Sequence, residues 1–189
     1  MRAVFACIFL VTFLGCGRYG PPLPPEEFSP RAVQDLKVVP GLQGVDFAWS
    51  APSSDRRGKE LKEIEGYRVY RKEIVKRSDI LDDSVSFELL TSIPDSHLEV
   101  LEDLRIEARK QGQIGRKVTL DDHLLDFKYS DQTVVPGVTY LYKIVPYNQG
   151  GVEGEFLGYV KIVFRGESSE VSFLEQTAEE EKFKRNRPS

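Results

Sequence analysis

Val134-Val135-Pro136-Gly137-Val138-Thr139-Tyr140-Leu141-Tyr142-Lys143-Ile144-Val145-Pro146-Tyr147-Asn148 is the stretch from which the fold can be read. Pro136-Gly137 is a turn pair: the proline ring sets φ at about −65°, and glycine accepts the positive φ that follows. Behind the turn the residues alternate. Val138, Tyr140, Tyr142, Ile144 and Pro146 share one face, while Thr139 and Lys143 interrupt the other with polar groups. A period of two marks a strand with one buried face. Pro146 has no N–H to give a ladder, so the strand must end close to it. Tyr140, three residues beyond the turn, is placed to form a tyrosine corner, its ring in the core and its hydroxyl bonded back to upstream backbone.

The same residues resemble strand F of a fibronectin type III domain. That pattern runs from an apolar residue through Pro-Gly-Thr to a tyrosine, then alternates to an asparagine. Val134, Pro136, Gly137, Tyr140, Tyr142, Ile144 and Asn148 fit it, with Val138 in place of the threonine and Pro146 in place of a small residue. The likeness extends outward. Val45, Phe47 and Trp49 alternate as a strand B, and Trp49-Ser50-Ala51-Pro52 resembles its Trp-x-x-Pro ending. Gly66-Tyr67-Arg68-Val69 matches the Gly-Tyr-x-Val of strand C, with Tyr67 and Val69 inward. The resemblance implies an all-β, immunoglobulin-like sandwich over residues 31–174, with Trp49, Tyr67, Pro136, Gly137 and Tyr140 as its structural residues. Trp49 also has the chemistry of a sugar-stacking platform, but its place on an apolar face favours core filling.

Further strands are expected from Ala32 to Val38, after which Gly41 to Gly44 turns the chain, and from Phe87 to Ile93. Others are expected from Phe127 to Asp131, from Phe156 to Phe164, and as an edge pairing at Val171-Ser172-Phe173. Asn148 to Gly154 reads as a hairpin loop, and Arg77-Ser78-Asp79 as a polar connection. Between strands lies an insert, about residues 94–126. Ser96-His97-Leu98-Glu99 has the form of a capping box. Leu98, Leu101, Leu104 and Ala108 then recur at helical spacing, with Arg109 and Lys110 suited to the C-terminal dipole and Gly112 to the stop. One amphipathic helix from about His97 to Gln111 is expected. Its stripe either covers a sheet edge or makes Leu98, Leu101 and Leu104 a partner-binding rim.

The first residues belong to no domain. Met1-Arg2 is a short basic region, Ala3 to Leu14 is apolar, and Gly15-Cys16 follows at once. This has the form of a secretory signal, residues 1–15. Phe13-Leu14-Gly15-Cys16 resembles a bacterial lipobox, which implies diacylglycerol on the Cys16 thiol, cleavage before it and acylation of the new amine. Two or three chains, at about 0.8 kcal/mol per buried CH₂, would anchor the protein where one would not. Cys7 leaves with the signal, so the mature domain would keep no free thiol for a disulfide, a metal or catalysis. Residues 16–30 are rich in proline and read as an extended polyproline-type tether that neither pairs nor winds. Cys16-Gly17-Arg18-Tyr19-Gly20-Pro21 also looks like the mature start of small lipoproteins that assist the lipopolysaccharide translocon. Gly17 after the lipidated cysteine resembles the enterobacterial pattern for outer-membrane delivery. Residues 175–189, an acidic run followed by Lys182, Lys184, Arg185 and Arg187, read as a solvated tail.

The inventory for chemistry is thin. A formal net charge of −4 argues against a nucleic-acid partner. His97 and His123 both fall in the insert, on elements that need not converge as a metal site requires. Gly112 to Lys117 lacks the spacing and the Lys-Ser/Thr end of a phosphate loop. No nucleophile elbow or glycosidase-like carboxylate pair stands out. The expectation is therefore a non-catalytic, lipid-anchored binding or scaffold module of the bacterial envelope, without cofactor or metal. Its partners would be the membrane, through Cys16, and an envelope protein. The second reading is an envelope-assembly factor acting through the Cys16 to Pro25 segment.

Overall fold

The structure is a computed structural model, described here for residues 22–75 and 86–174. The signal, Cys16, the Arg77-Ser78-Asp79 connection and the 175–189 tail lie outside the described residues. Within them, strands β1 (Gln34–Pro40), β2 (Val45–Ser50) and β5 (Asp126–Asp131) form one sheet in the order β1-β2-β5. The second sheet comprises β3 (Gly66–Ile74), β4 (Glu88–Pro94), β6 (Thr139–Tyr147), β7 (Tyr159–Val163) and β8 (Glu170–Leu174), in the order β4-β3-β6-β7-β8. Every pairing between named strands is antiparallel. Strands β1, β2 and β5 take the places of A, B and E, and β3, β6 and β7 those of C, F and G. The chain is an immunoglobulin-like sandwich of the fibronectin type III kind, with β4 and β8 widening its second sheet.

The inward residues of the two sheets meet in one core. Phe47 and Trp49 of β2 face Tyr67 and Val69 of β3 and Tyr140, Tyr142 and Ile144 of β6. Trp49 meets Tyr67 edge-on at 5.6 Å between centroids, and Phe127 lies 4.6 Å from Tyr67. Such pairs add to the area they bury because ring edges and faces carry opposite partial charge. Trp49 is thus core, only 2% exposed.

The corner forms as the spacing requires. Pro136 and Gly137 are the central residues of a type II turn: Gly137 has φ +88°, and the Val138 N–H reaches the Val135 carbonyl at 3.2 Å. The Gly137 N–H donates to the Phe164 carbonyl at 2.8 Å, tying the turn to the chain beyond β7. Tyr140 is 1% exposed, and its hydroxyl accepts the Val135 N–H at 2.9 Å. Tyr140→Phe keeps the ring but orphans that donor, and an unmade bond of this kind costs about 1 to 2 kcal/mol. We expect a lower urea midpoint with an unchanged m-value; an unchanged midpoint would remove the corner from the list of stabilising features.

Three features depart from the sequence reading. Strand β6 is buried on both faces: Leu141 and Val145, on the face read as polar, are as buried as Tyr140. The strand lies between β3 and β7, and aromatic rings lie on its outer side. Phe87 stacks on Tyr159 at 5.6 Å, Phe156 meets Tyr159 at a tilt at 5.2 Å, and the Lys143 ammonium stands 4.7 Å from the Tyr70 ring centre and 4.9 Å from that of Phe87. Lys143 lays its stem on apolar surface and gives its charge to ring faces, which is why a lysine sits in an otherwise covered row.

The capping box does not form either. The helix α1 runs His97–Lys110, close to expectation, but Ser96 has φ −114° and ψ 9° and makes no side-chain cap bond. Asp95 takes that role from one residue earlier, its Oδ1 accepting the His97 N–H at 2.9 Å.

The tether, finally, is not extended throughout. Pro25–Phe28 winds one 3-10 turn between extended Pro24 and Ser29, and Ser29 and Pro30 are buried. Pro30 bridges Asp55 in antiparallel fashion. Proline suits the first position of a helical turn, where no N–H is needed, so a proline-rich run can wind there.

Candidate functional site

One end of the sandwich gathers almost everything that is not strand. The pairings Ser50↔Asp126, Gly66↔Pro94 and Gly66↔Tyr147 put the loop 51–65, the insert 95–125 and the loop 148–158 side by side. The chain arrives at this end too. The Arg31 N–H donates to the Ser54 carbonyl, the Arg56 N–H to the Ser29 carbonyl and the Glu155 N–H to the Pro30 carbonyl, each at 3.0 Å. A Cβ on Gly154 would collide with the Pro30 carbonyl oxygen, so only glycine allows this close approach. The Arg57 guanidinium lies 4.0 Å from the Phe28 ring centre and bonds the Asp55 carboxylate. Arg57 beside Asp55 holds that carboxyl below the ordinary aspartate range.

The helix α1 is pinned to the same end by a buried joint. The two oxygens of Asp95 divide the work: Oδ1 accepts the His97 N–H and lies 2.7 Å from His97 Nδ1, and Oδ2 accepts the Tyr67 hydroxyl at 2.6 Å. Burial, and then the Asp95 charge, push the Tyr67 hydroxyl far above the usual tyrosine range. Leu98 packs on the core cluster and Ala108 is buried, while Leu104 is 41% exposed and Leu101 is half-buried. Of the residues read as a rim, Leu98 therefore serves the core and Leu104 is open to solvent. Arg105 reaches Glu60 of the 51–65 loop at 3.1 Å. Past the helix, Ile114 is 64% exposed and lines a shallow depression with Glu60, Arg105, Arg109 and Gly115.

The hairpin loop at this end is self-bonded. Asn148 Oδ1 accepts from the Gly150 and Val152 N–H groups at 3.1 and 3.0 Å. Arg68 pairs with Glu153 at 3.1 Å, and the Tyr70 hydroxyl donates to the same carboxylate. Burial alone would raise Glu153, yet Tyr70 and Arg68 outweigh it and hold the group below the usual glutamate range. Tyr70 in turn is pushed up to about 12 by burial and by Glu153.

No family model matches the chain, and no curated protein matches it in sequence. Among solved structures, the chain is similar to the twitchin kinase region of C. elegans (Fn31-NL-kin-CRD-Ig26), at 10% identity and a TM-score of 0.42. The match covers 72% of this chain and 17% of that one. The strand order, not this likeness, establishes the fold. Among the described residues no helix is long and apolar enough to cross a membrane.

Trp49, Tyr67, Pro136, Gly137 and Tyr140 are all structural in place, three inside the core and two at the corner turn. His97 is engaged by Asp95, whereas His123 is exposed, with its N–H on Asp121. The reading missed Asp95, Asp131 and Lys143. Asp95 had a local signal, an Asx residue two positions before a helix, but the competing capping box hid it. Asp131 had a local partner in Thr133, two residues on, but its bonds to Arg71 and Tyr142, and the rings around Lys143, come from segments distant in sequence.

Proposed function

We propose that the chain is a lipid-anchored protein of the bacterial envelope, held at the outer membrane by acyl chains on Cys16, which presents its sandwich as a non-catalytic binding and scaffold module. The observation that carries this reading is the run Phe13-Leu14-Gly15-Cys16 behind an apolar segment, followed after a short spacer by a chain bonded into one end of a rigid fold. The buried acids support a scaffold. Asp55, Asp95 and Asp131 are each engaged in bonds that fix loops and strands.

Palmitate labelling tests the anchor. The wild-type chain should incorporate label and sediment with membranes; Cys16→Ser should lose both. A Cys16→Ser protein that still takes label and sediments would end the proposal.

The assembly-factor reading has one specific support: Leu23, between Pro22 and Pro24, is 52% exposed. Replacing residues 17–24 with a Gly/Ser linker separates the two readings. Loss of envelope integrity with a folded, anchored sandwich favours the assembly role, and retention favours the module.

A further inference from the structure

Resting on the anchor at Cys16, we propose that the helix end of the sandwich is turned to the bilayer and that the turn around Ile114 contacts anionic phospholipid headgroups. Five residues lie between Cys16 and Pro22, and the six steps fully extended span at most about 21 Å. From there the path is fixed by main-chain bonds of Ser29, Pro30 and Arg31 to the loops 51–65 and 148–158. The lipidated end of the chain therefore holds this end of the domain close to the bilayer and leaves the far end, with the Gly41–Gly44 turn, pointing away.

The surface so presented suits a lipid interface. Residues 105–117 carry Arg105, Arg109, Lys110, Arg116 and Lys117 against Glu107 alone, in a chain whose overall charge is −4. Arg105 and Arg109 do pair with Glu60 and Glu102, and Lys110 with Glu107, but these pairs involve solvent-accessible side chains. Such pairs contribute little, so phosphates can replace them. Ile114 is exposed in the middle of this basic stretch. An exposed aliphatic within a basic stretch of sequence is the composition of a segment that rests in the headgroup layer, where apolar burial and attraction to anionic lipid act together.

The test uses the full lipidated protein in vesicles of phosphatidylethanolamine and phosphatidylglycerol, with a nitroxide on a fraction of the headgroups. Ile114→Cys and, separately, Leu42→Cys carry a fluorophore; Leu42 is 72% exposed in the Gly41–Gly44 turn at the far end. The proposal expects loss of emission at position 114 and none at 42. It also expects weaker quenching at 114 in phosphatidylcholine vesicles, or when Lys110→Glu and Lys117→Glu are added. Equal quenching at both positions, or quenching at 42 alone, overturns it, as does no quenching at either. Mass analysis of the amino-terminal peptide separates the two layers. An acylated Cys16 with the wrong quenching pattern sinks only this inference, whereas an unmodified Cys16 sinks the anchor and this with it.

Discussion

Asp131→Ala should cost about 3 to 5 kcal/mol of folding free energy, the size expected when one partner of a buried charged cluster is removed. The Asp131 side chain is wholly inaccessible and serves four donors. Oδ2 accepts from Arg71 Nη1 at 2.9 Å and the Tyr142 hydroxyl at 2.8 Å; Oδ1 accepts from the Thr133 N–H at 2.9 Å and its hydroxyl at 2.7 Å. Removing the carboxylate strands the buried Tyr142 hydroxyl and leaves the Arg71 guanidinium with only Thr133 Oγ1 at 2.6 Å and the exposed Glu88 at 3.4 Å. The pH dependence has a definite sign. Burial by itself would raise Asp131, but its bonds to Thr133 and Tyr142 and the charge of Arg71 together hold it below the ordinary aspartate value. A depressed folded-state value means the stabilisation is complete above the unfolded value, about pH 4, and is lost as the pH falls through the folded one. Asp131→Asn should therefore be less stable than wild type at neutral pH, with the gap narrowing in acid. Urea unfolding at pH 7 and pH 3 measures both. A loss that is the same at the two values would remove the ionised carboxylate from the account.

Trp49→Ala should cost a similar amount, about 3 to 5 kcal/mol, because the cavity it leaves is walled by Tyr67 and Phe127 from opposite sheets and cannot close without moving both. Trp49→Phe should cost much less. The indole N–H is buried without a hydrogen-bond partner, so phenylalanine removes an unsatisfied donor while keeping most of the ring contact. Trp49 is the sole tryptophan, so unfolding has to be followed by circular dichroism. An alanine variant within about 1 kcal/mol of wild type would show that the two sheets do not depend on this ring for their contact.

The strands were legible because their signal is local. Alternation, a Pro-Gly pair and a tyrosine at the right offset placed β6 and its corner, and the same period placed β2, β3 and β5. Helix α1 was legible for the same reason, since Leu98, Leu101 and Ala108 lie within its own turns. What escaped depends on residues far apart. Arg71 and Asp131 are 60 positions apart, Tyr70 and Glu153 are 83 apart, and no periodicity links them. The covered outer face of β6 escaped because Lys143 reads as solvent-facing until rings from three other segments are seen around it. At the candidate site, helical spacing groups Leu104 with Leu98 and Leu101, yet only Leu98 packs on the core and Leu104 is open to solvent. Which leucines the sheet would cover follows only from how α1 is pinned by Asp95 and Tyr67, a tertiary fact.

Because the chain is bonded to the loops before it enters β1, a load on the amino end meets Pro30 before it meets any sheet. Three main-chain bonds and the Phe28–Arg57 stack would give way first, and the strands behind them would keep their pairing. Only Pro25–Phe28 is wound, so straightening that turn adds about 6 Å, four residues each lengthening by about 1.4 Å.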